Sequence, residues 1–134
     1  MKYLLDTGAV AAIRRLGSDR SSPAAAWLNA VPPEDLFVSA MTCAELESGI
    51  RALRKTDLRK AEALRNWYEG QVLPFFEGRI LPVDMEVVRA FTALQADGQI
   101  SGAAAWIAAT AAARGMTIVT RSDVLVKYSL SYFL

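Results

Sequence analysis

The chain has no histidine and a single cysteine, Cys43, in 134 residues. The first absence excludes imidazole as a general base. The second excludes an internal disulfide and a cysteine-rich zinc site, and it favours a reducing compartment. Any resident metal would have to be held by carboxylates, which suit hard cations such as magnesium or manganese. No apolar run approaches the roughly 20 residues of a membrane-spanning helix, and Met1-Lys2 leads straight into an apolar stretch with no cleavable signal pattern. A soluble, cytoplasmic protein with no membrane partner is therefore expected. Charge of one sign is not in excess either: the net charge is +1, so a surface for nucleic acid must come from a local patch.

What is present is a hydrophobic fraction of 53% with 22% charged residues and three tryptophans, the composition of a packed globular chain. Residues 1–134 fit a single domain with one core. The chain is organised around Lys2 to Gly8, where the short apolar run Tyr3-Leu4-Leu5 delivers one acid, Asp6, followed by Thr7 and Gly8. Such a run reads as a strand covered on both faces, and sites of open α/β sheets lie just beyond the carboxyl ends of these strands. Asp6 is thus placed for chemistry. It is equally placed to cap the helix that follows.

Further along, Ala9 to Leu16 reads as a short helix stopped by Gly17, and Ser22-Pro23 as the start of another that ends at Pro32-Pro33. Leu36 to Ser39 is the second strand. Thr42-Cys43-Ala44-Glu45 matches a capping box, which would explain Glu45 structurally while still setting its carboxylate on the same sheet edge as Asp6. Residues 51–65 carry Arg51, Arg54, Lys55, Arg59, Lys60 and Arg65 against only Asp57 and Glu62. With Leu58, Leu64, Trp67 and Tyr68 as an apolar stripe, this is a helical hairpin whose second arm Asp57 caps. Its basic surface is either a solvated face or a collector of phosphates. Arg79 to Val83 reads as a third strand, Asp84 as the cap of the next helix, Ala103 to Arg114 as a small-residue helix closed by Gly115, and Met116 to Val119 as a fourth strand. The tail, Val124 to Leu134, is either an edge strand or a docked extended segment. Strands alternating with helices imply a three-layer α/β/α fold with a mostly parallel central sheet.

Read in order, Lys2 to Thr7, Phe37 to Ser39 with Thr42 to Leu46, Gly49-Ile50, Gly78 to Asp84, Ile107 to Ala111 and Gly115 to Arg121 resemble PIN-domain proteins of the VapC toxin type. The resemblance implies a magnesium- or manganese-dependent endoribonuclease with an RNA substrate, held inactive by a cognate antitoxin and assembled as a homodimer. Asp6 and Glu45 fall on the first two acid positions of the pattern and are the expected metal ligands and catalytic acids. Three departures stand out. Ala104-Ala105 replaces the Asp-Gly that precedes the Ile-Ala-Ala-Thr-Ala helix, Gly8 replaces an Asn, and Ser122 stands where Asn or Asp is usual, with Asp123 one residue later. Asp123 is accordingly the expected substitute acid. The competing expectation is a catalytically inactive copy that binds the antitoxin or a partner subunit. Leu4 to Ala9 also reads like the signature of retroviral-type aspartic proteases, but those are all-β and this chain turns into helix after Gly8.

Overall fold

A computed structural model describes residues 1–16, 23–96, 98, 100–120, 122, 125 and 131–132. Its centre is a five-stranded parallel sheet. Across the sheet the order runs from Ile80–Leu81 (β3) through Leu36–Ser39 (β2), Tyr3–Leu5 (β1) and Thr117–Val119 (β4) to Ser131–Tyr132 (β5). Leu5 lies opposite Val38 on one side and Val119 on the other, so the chain leaves three neighbouring strands at one level. That shared level is what gathers a site.

The strand run is apolar throughout because both faces are covered. On one face Leu5, Leu36, Val38 and Val119 pack with Val10, Ile50, Tyr68, Val72 and Phe76. On the other, Leu4 and Ile118 pack with Ile107, Ala108, Ala111 and Leu125. Leu4, Leu5 and Ile118 are wholly inaccessible, as alternating side chains of a two-sided strand must be. The helices Thr7–Leu16 (α1), Pro23–Ala30 (α2), Ala40–Leu53 (α3) and Leu58–Trp67 (α4) go with the first layer. Met85–Ala96 (α6) and Gly102–Arg114 (α7) form the second, where Phe91 stacks on Trp106 with ring centroids 3.7 Å apart. The expected three-layer architecture is the one observed.

Several local expectations shift. The third strand shrinks to Ile80–Leu81, since Pro82 has no N–H to continue the ladder. Its entry is clamped by Arg79, whose guanidinium donates to the carbonyls of Pro33, Leu36 and Phe75. Asp57 caps α4 as predicted, accepting from Lys60 N at 3.0 Å. After α4 the chain widens into a π-helical turn, Tyr68–Val72, before the single turn Leu73–Phe75 (α5), so Pro74 follows an already loosened helix. Gly115 ends α7 at φ +62°, a left-handed C-terminal stop that glycine adopts without penalty. Of the tail, Ser131–Tyr132 is a parallel edge strand on β4; the stretch from Gly17 to Ser22 lies outside the described residues.

Candidate active site

Asp6 follows β1 directly and is buried, with 6% of its surface exposed. Its backbone N–H continues the parallel ladder to Val119 O at 3.1 Å, which fixes the side chain at the carboxyl edge. Oδ1 accepts from Ala9 N at 2.7 Å, so Asp6 does cap α1. Oδ2 accepts from the Thr120 hydroxyl. Thr120 sits just past β4, is fully buried, and in turn accepts from Ser122 N at 2.8 Å. The two oxygens of the carboxylate thus serve different neighbours, one at the start of α1 and one past β4.

The capping box at Thr42 is not formed. α3 begins at Ala40, immediately after β2, and its cap is Ser39, whose Oγ accepts from Met41 N at 3.0 Å. With no loop between strand and helix, Thr42 falls inside the first turn and is buried at 1% exposure. Glu45 is therefore not consumed at the helix start. Its Oε1 accepts from the Thr7 hydroxyl, which also lies 3.3 Å from the Thr42 hydroxyl. Because Thr7 adjoins Asp6, one short side chain ties the Asp6 segment to Glu45. Each predicted acid thus takes a threonine hydroxyl, Asp6 that of Thr120 and Glu45 that of Thr7, the residue next to Asp6 in the chain.

Thr7, Thr42 and Thr120 were missed as members of this cluster. A signal existed for Thr120: once Leu5 is paired with Val119, the next residues of the two strands, Asp6 and Thr120, must be neighbours. Among the described residues no group of three or more His, Cys, Asp or Glu side chains converges to hold a metal. Asp123 lies outside the described residues. Asp84 is a structural acid. It caps α6 through Val87 N at 3.1 Å and pairs with Arg114, and these contacts hold its carboxyl below the usual carboxylate range.

Beside this edge, α3 and the π turn share a second polar cluster. The Tyr68 hydroxyl donates to Glu47 Oε2 at 2.6 Å, and burial followed by that bond pushes the phenol well above its ordinary value. Burial likewise raises the Cys43 thiol.

A parallel α/β sheet with acids gathered at the carboxyl ends of its central strands defines the class, and the chain belongs to the PIN domain family, whose sequence profile matches residues 3–129. It is 36% identical to the VapC ribonuclease Y4jK of Sinorhizobium fredii over 88% of this chain and 85% of that one. It is 33% identical to toxin FitB of Neisseria gonorrhoeae over 88% and 86%. Among solved structures, FitAcB from N. gonorrhoeae superposes with a TM-score of 0.79 at 30% identity, covering 98% of this chain and 96% of that one. DNA-bound VapBC from Salmonella typhimurium, at 19% identity and a TM-score of 0.75 over 98% and 96%, shares the fold.

Proposed function

We propose that the chain is a metal-dependent endoribonuclease, the toxin of a toxin–antitoxin module, in which Asp6 and Glu45 hold the cation. The observation that carries this reading is that Asp6 follows β1 and Glu45 lies on the helix directly after the neighbouring parallel strand β2, with the Thr7 hydroxyl, next to Asp6 in the chain, donating to Glu45. The ribonuclease and toxin names of its relatives support it. The donor set fits the group: all-oxygen ligands suit magnesium or manganese, and magnesium is commonly held by one or two carboxylates while keeping several waters. Such an ion supplies an activated water and steadies charge on the scissile phosphate. The chain's own part is positional. Ala9 N and Thr120 fix the Asp6 carboxylate, Thr7 steers Glu45, and Asp123 is the further acid proposed for the site.

The proposed partners are an RNA substrate, a cognate antitoxin and a second copy of the chain. For the antitoxin, a cavity of about 350 Å³ walled by Val10, Ile13, Leu28, Trp67, Val72 and Phe75 offers apolar surface. Titration calorimetry with manganese and cleavage of a structured RNA in magnesium, on wild type and Asp6→Ala, test the reading. Wild type is expected to bind and cleave, and the variant to lose both. Equal manganese affinity in the two proteins would refute the ligand assignment.

A further inference from the structure

Helices α1, α3 and α4 enclose a second cavity, about 380 Å³ in volume, with Glu45 in its wall. It therefore adjoins one of the two acids, Glu45. Leu46, Leu64 and the half-buried Trp67 make its apolar surface, and Arg14 and Lys60 contribute to its lining. The Arg14 guanidinium stands 5.8 Å from the centre of the Trp67 ring. Both cations are exposed, and among the described residues neither forms an ion pair. Of the six cations in the segment 51–65, Lys60 is the one that lines this cavity.

An aromatic ring on an apolar floor, flanked by two unpaired cations next to a phosphate-cleaving site, suits one chemistry in particular. Single-stranded RNA presents a stackable base and phosphates on either side of it, and proteins that bind it combine aromatic platforms with cationic tracks. A cationic peptide would be repelled by Arg14 and Lys60. A purely apolar one would leave them without a role. We infer that this cavity seats the RNA nucleotide next to the cleaved phosphate, the base against Trp67 and the flanking phosphates on Arg14 and Lys60. The inference rests on the ribonuclease reading above and assigns these three side chains to positioning the substrate.

The test measures cleavage of a single-stranded RNA in magnesium, and binding of the same RNA in chains carrying Asp6→Asn. Trp67→Leu should raise KM and weaken binding about tenfold, the scale of one lost base–aromatic stack. It should also alter which nucleotide is preferred at the cut, and Trp67→Phe should recover most of the loss. Arg14→Gln and Lys60→Gln should each weaken binding and lower the slope of log affinity against log salt by about 0.7, one single-strand phosphate contact apiece. These exposed substitutions keep the test decisive if Trp67→Leu does not fold. Were wild type to cleave while all four variants kept its KM, nucleotide preference and salt slope, the subsite would be wrong and the ribonuclease reading would stand. A wild type that neither binds nor cleaves RNA would overturn both. Unchanged RNA affinity in Arg14→Gln and Lys60→Gln with lost binding of the antitoxin would give the cavity to a protein partner and reject the inference.

Discussion

The buried Asp6 carboxylate is held by two donors of different kinds, one of them a backbone N–H that no substitution at Ala9 other than proline removes. The other is the Thr120 hydroxyl, which a substitution can delete. Thr120→Val is nearly isosteric, so it removes the hydroxyl with little change in volume. It also leaves Ser122 N without its acceptor. Hydrogen bonds to charged groups contribute roughly 1.5–3 kcal/mol, and a loss of about 2 kcal/mol in denaturant unfolding is expected. RNA cleavage should fall with it. Thr120→Ser, which keeps the oxygen, should retain most of both. A Thr120→Val protein as stable and active as wild type would show that the cap to α1 alone holds Asp6 in place.

Among the elements, the π turn Tyr68–Val72 departs most from regular geometry, and it brings Tyr68 onto α3 with its hydroxyl on Glu47. The folded state binds the phenolic proton more tightly than the unfolded chain does. At pH below about 10, the ordinary tyrosine value, both states keep that proton and the contribution to stability is complete. Above it the unfolded state releases its proton first, so stability declines as pH rises. Urea unfolding between pH 8 and 11 should show this decline in wild type and a shallower one in Tyr68→Phe, which has no phenol at 68 to titrate. Parallel curves would mean that Tyr68 does not set the alkaline limit. The sequence made part of this region legible. Lys55-Thr56-Asp57 marked the hairpin break and Asp57 its cap, because both signals are local. The π turn was not legible, since Trp67 and Tyr68 read simply as an apolar stripe. The false capping box at Thr42 had the same origin: Thr-x-x-Glu is a local pattern, and only the immediate passage from β2 into α3 gives the cap to Ser39.

At the scale of the whole molecule, the sheet was readable because buried strands in a parallel fold are short uninterrupted apolar runs, as Tyr3-Leu4-Leu5 and Leu36-Phe37-Val38 are. Strand order and register were not, and the threonines of the site depend on them. Thr7 reaches Glu45 across 38 positions and Thr120 reaches Asp6 across 114. The homodimer belongs to this scale as well. Val83 and Met85 are large apolar side chains left exposed on the isolated chain, which is the kind of surface a second copy would cover. Light scattering at micromolar concentration should return twice the mass of the 14.6 kDa chain, and a monomer would count against the assembly.

From the sequence resemblance, a third acid is expected where this chain has Ala104. Ala104 stands in the first turn of α7, half-buried against the second core cluster, so it has a packing role that an alanine fills without charge. Ala104→Asp places a carboxylate against the core, and in the absence of metal the protein should lose stability through desolvation. If the new acid joins the ligand set, metal should return that stability: a ligand at 100 times its dissociation constant contributes about 2.7 kcal/mol. The thermal midpoint of Ala104→Asp should accordingly rise more steeply with added manganese than that of wild type. Cleavage of a structured RNA in magnesium should rise by up to about a hundredfold, the scale on which one positioned charge-stabilising group acts. Adding Asp6→Ala to Ala104→Asp should erase both gains. A wild type that cleaves as fast as Ala104→Asp would mean the missing acid is dispensable or already replaced. Asp123→Ala separates these outcomes, because wild type would then lose its activity only if Asp123 supplies the third charge.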